Sequence, residues 1–147
     1  MTEVSPLSNI LVVDDAEDLR AIIIDVLGHE GFATAGASNG IEAVRKFRQE
    51  HFDAVLLDLQ MPEMNGLETL EELKKLDQGI PVIILTAHGD IPTAVEAMKK
   101  GAYDFTLKPP DFDRLIVTLR RAIELTTLQR EVLRMSSALE SSLEDLL

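Results

Sequence analysis

Five short, β-prone runs recur along the chain: Asn9–Val13 (NILVV), Ala33–Ala37, Ala54–Leu57, Pro81–Leu85 (PVIIL) and Tyr103–Leu107. Four of them stop abruptly on a polar side chain. The first ends on Asp14 and Asp15, the third on Asp58, the fourth on Thr86 and the fifth on Lys108. Asn9–Val13, Ala54–Leu57 and Pro81–Leu85 are continuous apolar runs that suit strands buried on both faces, which is the condition of a parallel sheet; Ala33–Ala37 is a weaker run and Tyr103–Leu107 a fifth short strand. Parallel strands need crossover connections, and the segments between the runs have helical spacing. Leu19, Ile22, Ile23, Val26 and Leu27 form one such pattern, preceded by Glu17 and Asp18 and stopped by Gly28 and Gly31. Asn39 with Glu42 is a capping signal for a helix carrying Ile41, Val44 and Phe47. Leu67, Leu70, Leu73 and Leu76 make a third stripe, closed by Gly79 and Pro81, and Ile91, Val95, Met98 and Ala102 a fourth, with Pro92 in its first turn and Gly101 at its end. From Asp111 to Leu147 the pattern is helical throughout. The predicted fold is α/β, a doubly wound five-stranded parallel sheet with right-handed crossovers.

A chain of 147 residues, 46% hydrophobic and 27% charged, suits one globular domain with a short extension. The absence of cysteine excludes disulfides, thiolate metal sites and cysteine nucleophiles. His29, His51 and His88 are too scattered to suggest a histidine metal site. A net charge of −12 opposes non-specific attachment to nucleic acid, so no direct contact with DNA is expected of this segment. No apolar run has the length of a membrane span, and MTEVSPLSN lacks the regions of a signal peptide, so a soluble, cytoplasmic chain without membrane contact is expected.

A parallel sheet would gather Asp14, Asp15, Asp58, Thr86 and Lys108 on one edge, where open α/β sheets place ligands and chemistry. Three neighbouring carboxylates repel one another unless a cation compensates. Magnesium, which takes oxygen ligands and keeps several waters, meets that need. A metal beside an aspartate, with a lysine opposite and a hydroxyl nearby, is an apparatus for phosphoryl transfer onto the carboxylate, giving an aspartyl phosphate. Each residue also has a plainer reading: Asp58 as a turn residue, Asp14 and Asp15 as helix caps, Lys108 as a solvated charge. Those readings together require five coincidences at one sheet edge. His88 reads as a loop residue lining the pocket rather than as a catalyst.

The order VVDD, LLDLQMPEMNG, ILTA, GAYDFTLKP resembles the receiver domains of bacterial two-component response regulators over about Asn9 to Leu125. The resemblance implies the flavodoxin-like receiver fold, with Asp58 as phospho-acceptor for a sensor histidine kinase. It implies magnesium (or manganese) held by Asp14, Asp15, Asp58 and the backbone carbonyl of Gln60. Thr86 becomes the switch hydroxyl, Phe105 the switch aromatic, and Leu59, Ala87 and Lys108 parts of the phosphoryl pocket. A cis peptide bond between Lys108 and Pro109 is expected on the same footing. Pro110 departs from the family pattern in the loop before the last helix. TAHGDIPTAVEAMKKGAYDF is most similar to receivers of the nitrogen-regulation type, attached to AAA+ activators that work with sigma-54 RNA polymerase. That likeness implies a C-terminal output domain beyond this chain. On this reading the chain is no enzyme beyond self-catalysed phosphotransfer and slow self-hydrolysis.

Two rival readings come from other classes. Haloacid-dehalogenase-like phosphatases share a nucleophilic Asp, a hydroxyl, a Lys and magnesium, but their DxD follows the first strand, where this chain has adjacent Asp14 and Asp15. A phosphorylation-independent interaction module would be expected to lose pocket residues, and the full set is here.

The tail carries its own pattern. Leu125, Leu128, Val132, Met135, Leu139 and Leu146 follow spacings of three and four, interrupted where Ser142 takes an apolar place. This reads as a coiled-coil seam of about three heptads. A tail over residues 1–8, a receiver over 9–125 and a helical linker over 126–147, pairing two chains as a homodimer, are expected.

Overall fold

The computed structural model describes residues 7–61 and 64–146. The five runs form strands β1 (Asn9–Val13), β2 (Ala33–Ala37), β3 (Ala54–Asp58), β4 (Val82–Thr86) and β5 (Asp104–Leu107). All neighbours pair in parallel, in the order β2-β1-β3-β4-β5. Helices α1 (Glu17–His29), α2 (Gly40–Gln49), α3 (Gly66–Leu76), α4 (Ile91–Lys99) and α5 (Phe112–Asp145) connect and flank them. Alternate strand residues divide the core in two, as the period of a strand requires. Leu11, Val13, Val55, Leu57, Val82 and Ile84 pack with residues of α2, α3 and α4. Ile10, Val12, Ala54, Leu56, Ile83 and Leu85 pack with α1 and α5. The strand order reverses between β1 and β3, so the residues ending those strands flank the switch point of the sheet, where such folds open a crevice.

Several boundaries differ from the sequence reading. Strand β4 starts at Val82 rather than Pro81, because proline has no N–H for the ladder; the Pro81 carbonyl still accepts from the Val55 amide at 3.0 Å. Strand β5 starts at Asp104, although the Tyr103 N–H already donates to the Val82 carbonyl at 2.8 Å. Gly28 lies inside α1, and the chain turns at Gly31, whose φ is +95°. The helical stripes are less uniform than their spacing suggests. Ile22, Ile41, Leu76, Val95 and Met98 are exposed, and the inner face of α4 is made by Ala94 and Ala97 instead. Steps of three residues fall short of a turn by about 60°, so a stripe such as Leu67 to Leu76 rotates away from the core; only Leu70 and Leu73 are fully buried.

The cap expected at Asn39 forms, and two more appear. The Asn39 side chain accepts from the Glu42 N–H at 2.8 Å, while the Glu42 carboxylate reaches back to the Ser38 N–H rather than to that of Asn39. Asn65 caps α3 and Asp111 caps α5 in the same manner. Helix α5 runs unbroken for 34 residues. Beyond the body it is tied back by Arg130, which donates to Asp77 Oδ2 at 2.7 Å in the turn after α3.

Candidate functional site

The carboxyl ends of β1, β3, β4 and β5 bring the predicted residues together. Asp14 and Asp58 are buried aspartates, and their seats follow from strands whose other side chains fill the core. Carboxylate oxygens of Asp14, Asp15 and Asp58 lie within 4.8 Å of one another, with Asp15 exposed to solvent. Lys108 arches back over this edge: its Nζ stands 3.0 Å from Asp58 Oδ2 and 3.1 Å from Asp14 Oδ2. Its backbone N–H donates to the Thr86 carbonyl at 2.8 Å, which fixes the β5 end beside the β4 end. The Lys108–Pro109 bond is cis, as expected, and Pro110 is buried.

The two buried carboxylates are each held by the backbone around them. Asp14 Oδ1 accepts from the Ala16 N–H at 2.8 Å, and the Asp14 carbonyl accepts from Arg20 at 2.6 Å. Asp58 Oδ1 accepts from the Gln60 N–H at 3.0 Å. Asp14 Oδ2 is different. It is buried, and although the lysine ammonium is near, the pair lies outside hydrogen-bonding geometry, which leaves this oxygen without a hydrogen-bond partner among the described residues. A buried carboxylate oxygen in that condition is costly unless something else satisfies it.

The electrostatics follow from burial. Loss of water pushes the Asp58 carboxyl up to about 6; the Gln60 N–H opposes this, the Asp14 charge adds to it, and Lys108 opposes it again. For Lys108 burial alone would weaken the ammonium, but attraction to Asp58 and Asp14 outweighs it and raises its pKa above the ordinary lysine value. One ammonium thus stands against two carboxylates, with the Asp15 carboxylate beside them. The oxygen-only donor set, open to solvent on the Asp15 side and with an unsatisfied oxygen inside, fits a hard divalent cation such as magnesium. Among the described residues, no other group of three acidic, histidine or cysteine side chains meets the same spacing.

Thr86 is buried, and its hydroxyl is turned toward the loop that follows, with the Ala87 carbonyl at 3.3 Å and the Asp90 carbonyl at 3.5 Å. Leu59 is buried and its N–H donates to the Leu85 carbonyl, while Ala87 is exposed at the rim. Phe105 is half-buried against the α4 side of the core. The backbone of His88 lies in a 3-10 turn at His88–Asp90; its side chain, expected to line the pocket, lies outside the described structure. Sequence reasoning missed three contributors. Arg20 braces Asp14 from α1, and no local signal marks it. Gly66 allows the start of α3 to pack directly on Asp58 and Leu59, and the Asn65-Gly66 pair was its signal. The Gln60 side chain donates to Asp90 Oδ2 at 2.6 Å, a contact across 30 residues of sequence that no pattern reveals.

Comparison with known proteins agrees with this fold. A family model described as "Response regulator receiver domain" matches residues 10–120. The chain is 38% identical over 136 residues to "Regulatory protein AtoC" of Escherichia coli (strain K12), covering 92% of this chain and 30% of that protein. It is 47% identical over 120 residues to "Transcriptional regulatory protein ZraR" of Klebsiella oxytoca, covering 82% and 27%. The chain therefore spans under a third of either relative. Among solved structures, the receiver domain of NtrX from Brucella abortus superposes with a TM-score of 0.76 at 39% identity, covering 78% of this chain and 98% of that one.

Proposed function

The chain belongs to the response regulator receiver domain family, and from that premise we propose that Asp58 accepts a phosphoryl group from a sensor histidine kinase and thereby switches an output domain. One observation carries the reading: Lys108 stands against both Asp58 and Asp14, while a buried oxygen of Asp14 keeps no hydrogen bond. Asp14, Asp15, Asp58 and the Gln60 carbonyl would hold magnesium, or manganese in its place. When bound, the ion supplies charge neutralisation to phosphoryl oxygens.

The chain's own residues do the rest. An oxygen of Asp58 attacks phosphorus in line with the departing imidazole; an O–P bond forms as the P–N bond of the phosphohistidine breaks, and the imidazole takes a proton. The Lys108 ammonium pairs with a phosphoryl oxygen, and Leu59 and Ala87 bound the pocket. The new group carries about −1.5 to −2 charges. It draws the Thr86 hydroxyl off the Ala87 and Asp90 carbonyls, and Phe105 turns into the space that Thr86 vacates. The face of α4, β5 and α5 changes with it; the exposed Val95 and Met98 of α4 support this reading.

In this reading residues 9–125 form the receiver and 126–147 a helical linker to an output domain, a AAA+ ATPase of a sigma-54-dependent activator, in the cytoplasm. The likeness to AtoC, ZraR and NtrX supports that assignment. The test is labelling of the chain with acetyl phosphate and magnesium. Wild type should carry the label on Asp58 and Asp58→Asn should carry none; equal labelling of that variant at another residue would remove the assignment. Thr86→Ala should accept label yet lose the accompanying change in amide spectra.

A further inference from the structure

Asp90 occupies the position immediately before α4, where an aspartate ordinarily accepts a hydrogen bond from the helix's own first amides. Here it makes no such bond. Pro92 has no N–H, so the amide available to it is that of Thr93, and the carboxylate turns instead to Gln60, whose Nε2 donates to Asp90 Oδ2 at 2.6 Å. Both partners reach into the site. The Gln60 backbone N–H donates to Asp58 Oδ1, and the Asp90 carbonyl lies 3.5 Å from the Thr86 hydroxyl. The Asp90 N–H closes the intervening turn on the Ala87 carbonyl at 3.0 Å. A continuous chain of contacts therefore runs Asp58, Gln60, Asp90, Thr86, joining the loop after β3 to the loop after β4 across the mouth of the crevice.

We infer that Gln60 and Asp90 form a latch that holds the unphosphorylated arrangement, with Thr86 engaged by its own loop, and that releasing Asp90 to cap α4 accompanies the switch. In the observed arrangement the Asp90 carboxylate bridges to Gln60 and leaves α4 uncapped; in the switched arrangement it leaves Gln60 and caps α4 through the Thr93 N–H. A ligand that favours the second arrangement shifts the population away from the first. A phosphoryl group that draws Thr86 inward withdraws the hydroxyl from the Asp90 carbonyl and weakens the bridged state. Gln60 and Asp90 are thus positioning residues, acting through Thr86 and α4 rather than on phosphorus. The inference rests on the proposed role of Asp58 only for its consequence in signalling.

The experiment uses amide hydrogen exchange and amide spectra of the whole chain, without metal or phosphodonor, so that it reads the latch independently of phosphorylation. In Gln60→Ala the freed Asp90 should cap α4: exchange at the Thr93 amide should slow about fivefold, the scale of one modest hydrogen bond, with shifts across residues 86–93. Adding Asp90→Ala to Gln60→Ala should abolish that protection. Asp90→Asn, which keeps an oxygen acceptor for Gln60, should match wild type. The initial rate of Asp58 labelling by acetyl phosphate should rise about fivefold in Gln60→Ala. Unchanged Thr93 exchange in Gln60→Ala, or equal protection in the double variant, would overturn the latch. Loss of labelling in wild type would overturn the acceptor reading and leave the exchange result standing.

Discussion

At the scale of the residue, Asp58 shows what the site costs the fold. Its carboxyl titrates at about 6 rather than 3.8, first because burial removes water. A folded-state pKa above the unfolded one means that folding takes up a proton between those values. Stability contributed by this group is therefore present at low pH and is lost as pH rises to about 6. Asp58→Asn should gain about 3 kcal/mol above that pH and nothing below about pH 4, where the acid is neutral in both states. Urea unfolding at several pH values in chelator decides this. Added magnesium should then stabilise wild type and much less the Asn variant, as an ion that binds only the folded chain would. Asp14, Asp15, Asp58, Thr86 and Lys108 were legible in the sequence because each interrupts an apolar run, and a buried strand leaves its next residue at the sheet edge. The Gln60 side chain, Asp90 and Arg20 were not legible: their roles depend on loop geometry and helix rotation, which leave no periodic trace.

At the scale of the element, close approach decides what spacing cannot. A Cβ added to Gly66 would sit 2.4 Å from Leu59 Cα and 2.7 Å from the Asp58 carbonyl oxygen, both backbone atoms of the segment that carries the Asp58 side chain. Gly66→Ala should cost about 3 kcal/mol and displace Asp58, lowering the labelling rate as well as the thermal midpoint. Gly28 provides the control. It lies on an exposed face within α1, and a methyl group added there would meet nothing within 4 Å, so Gly28→Ala should stabilise by about 0.5 to 1 kcal/mol. Sequence alone marks both as glycines near helix ends. Helix existence was legible from the 3.6 period, whereas which large residues face inward was not. Ile41 and Val95 fit their stripes, yet the sheet face is met by Ala43, Val44, Ala94 and Ala97, because small residues let a helix lie close to a flat layer of β-branched side chains.

At the scale of the whole molecule, the unbroken length of α5 leaves an apolar stripe exposed. Leu125, Leu128, Val132, Met135, Leu139 and Leu146 are all exposed, Leu128 by 56% and Val132 by 61%, and Leu143 beside Ser142 extends the apolar surface. Arg130 to Asp77 ties the helix to the body near its middle, so the stripe past that point is not folded back on the sheet. A single helix presenting such a stripe to water is unstable as an isolated unit, and its stability must come from packing an apolar face. The spacing of three and four matches the seam of a parallel two-stranded coil, with Ser142 as the position where pairing loosens. Two chains paired there would bury the stripe and hold two receivers side by side, which suits a linker that transmits a change in α4 and α5 to an output domain. The expected outcome is a dimer by sedimentation equilibrium. Leu128→Glu with Met135→Glu would place carboxylates in the seam and should weaken association about a hundredfold or more, while Asp58 still accepts label. A dimer that keeps wild-type affinity after both substitutions would move the interface from the seam to the body of the receiver.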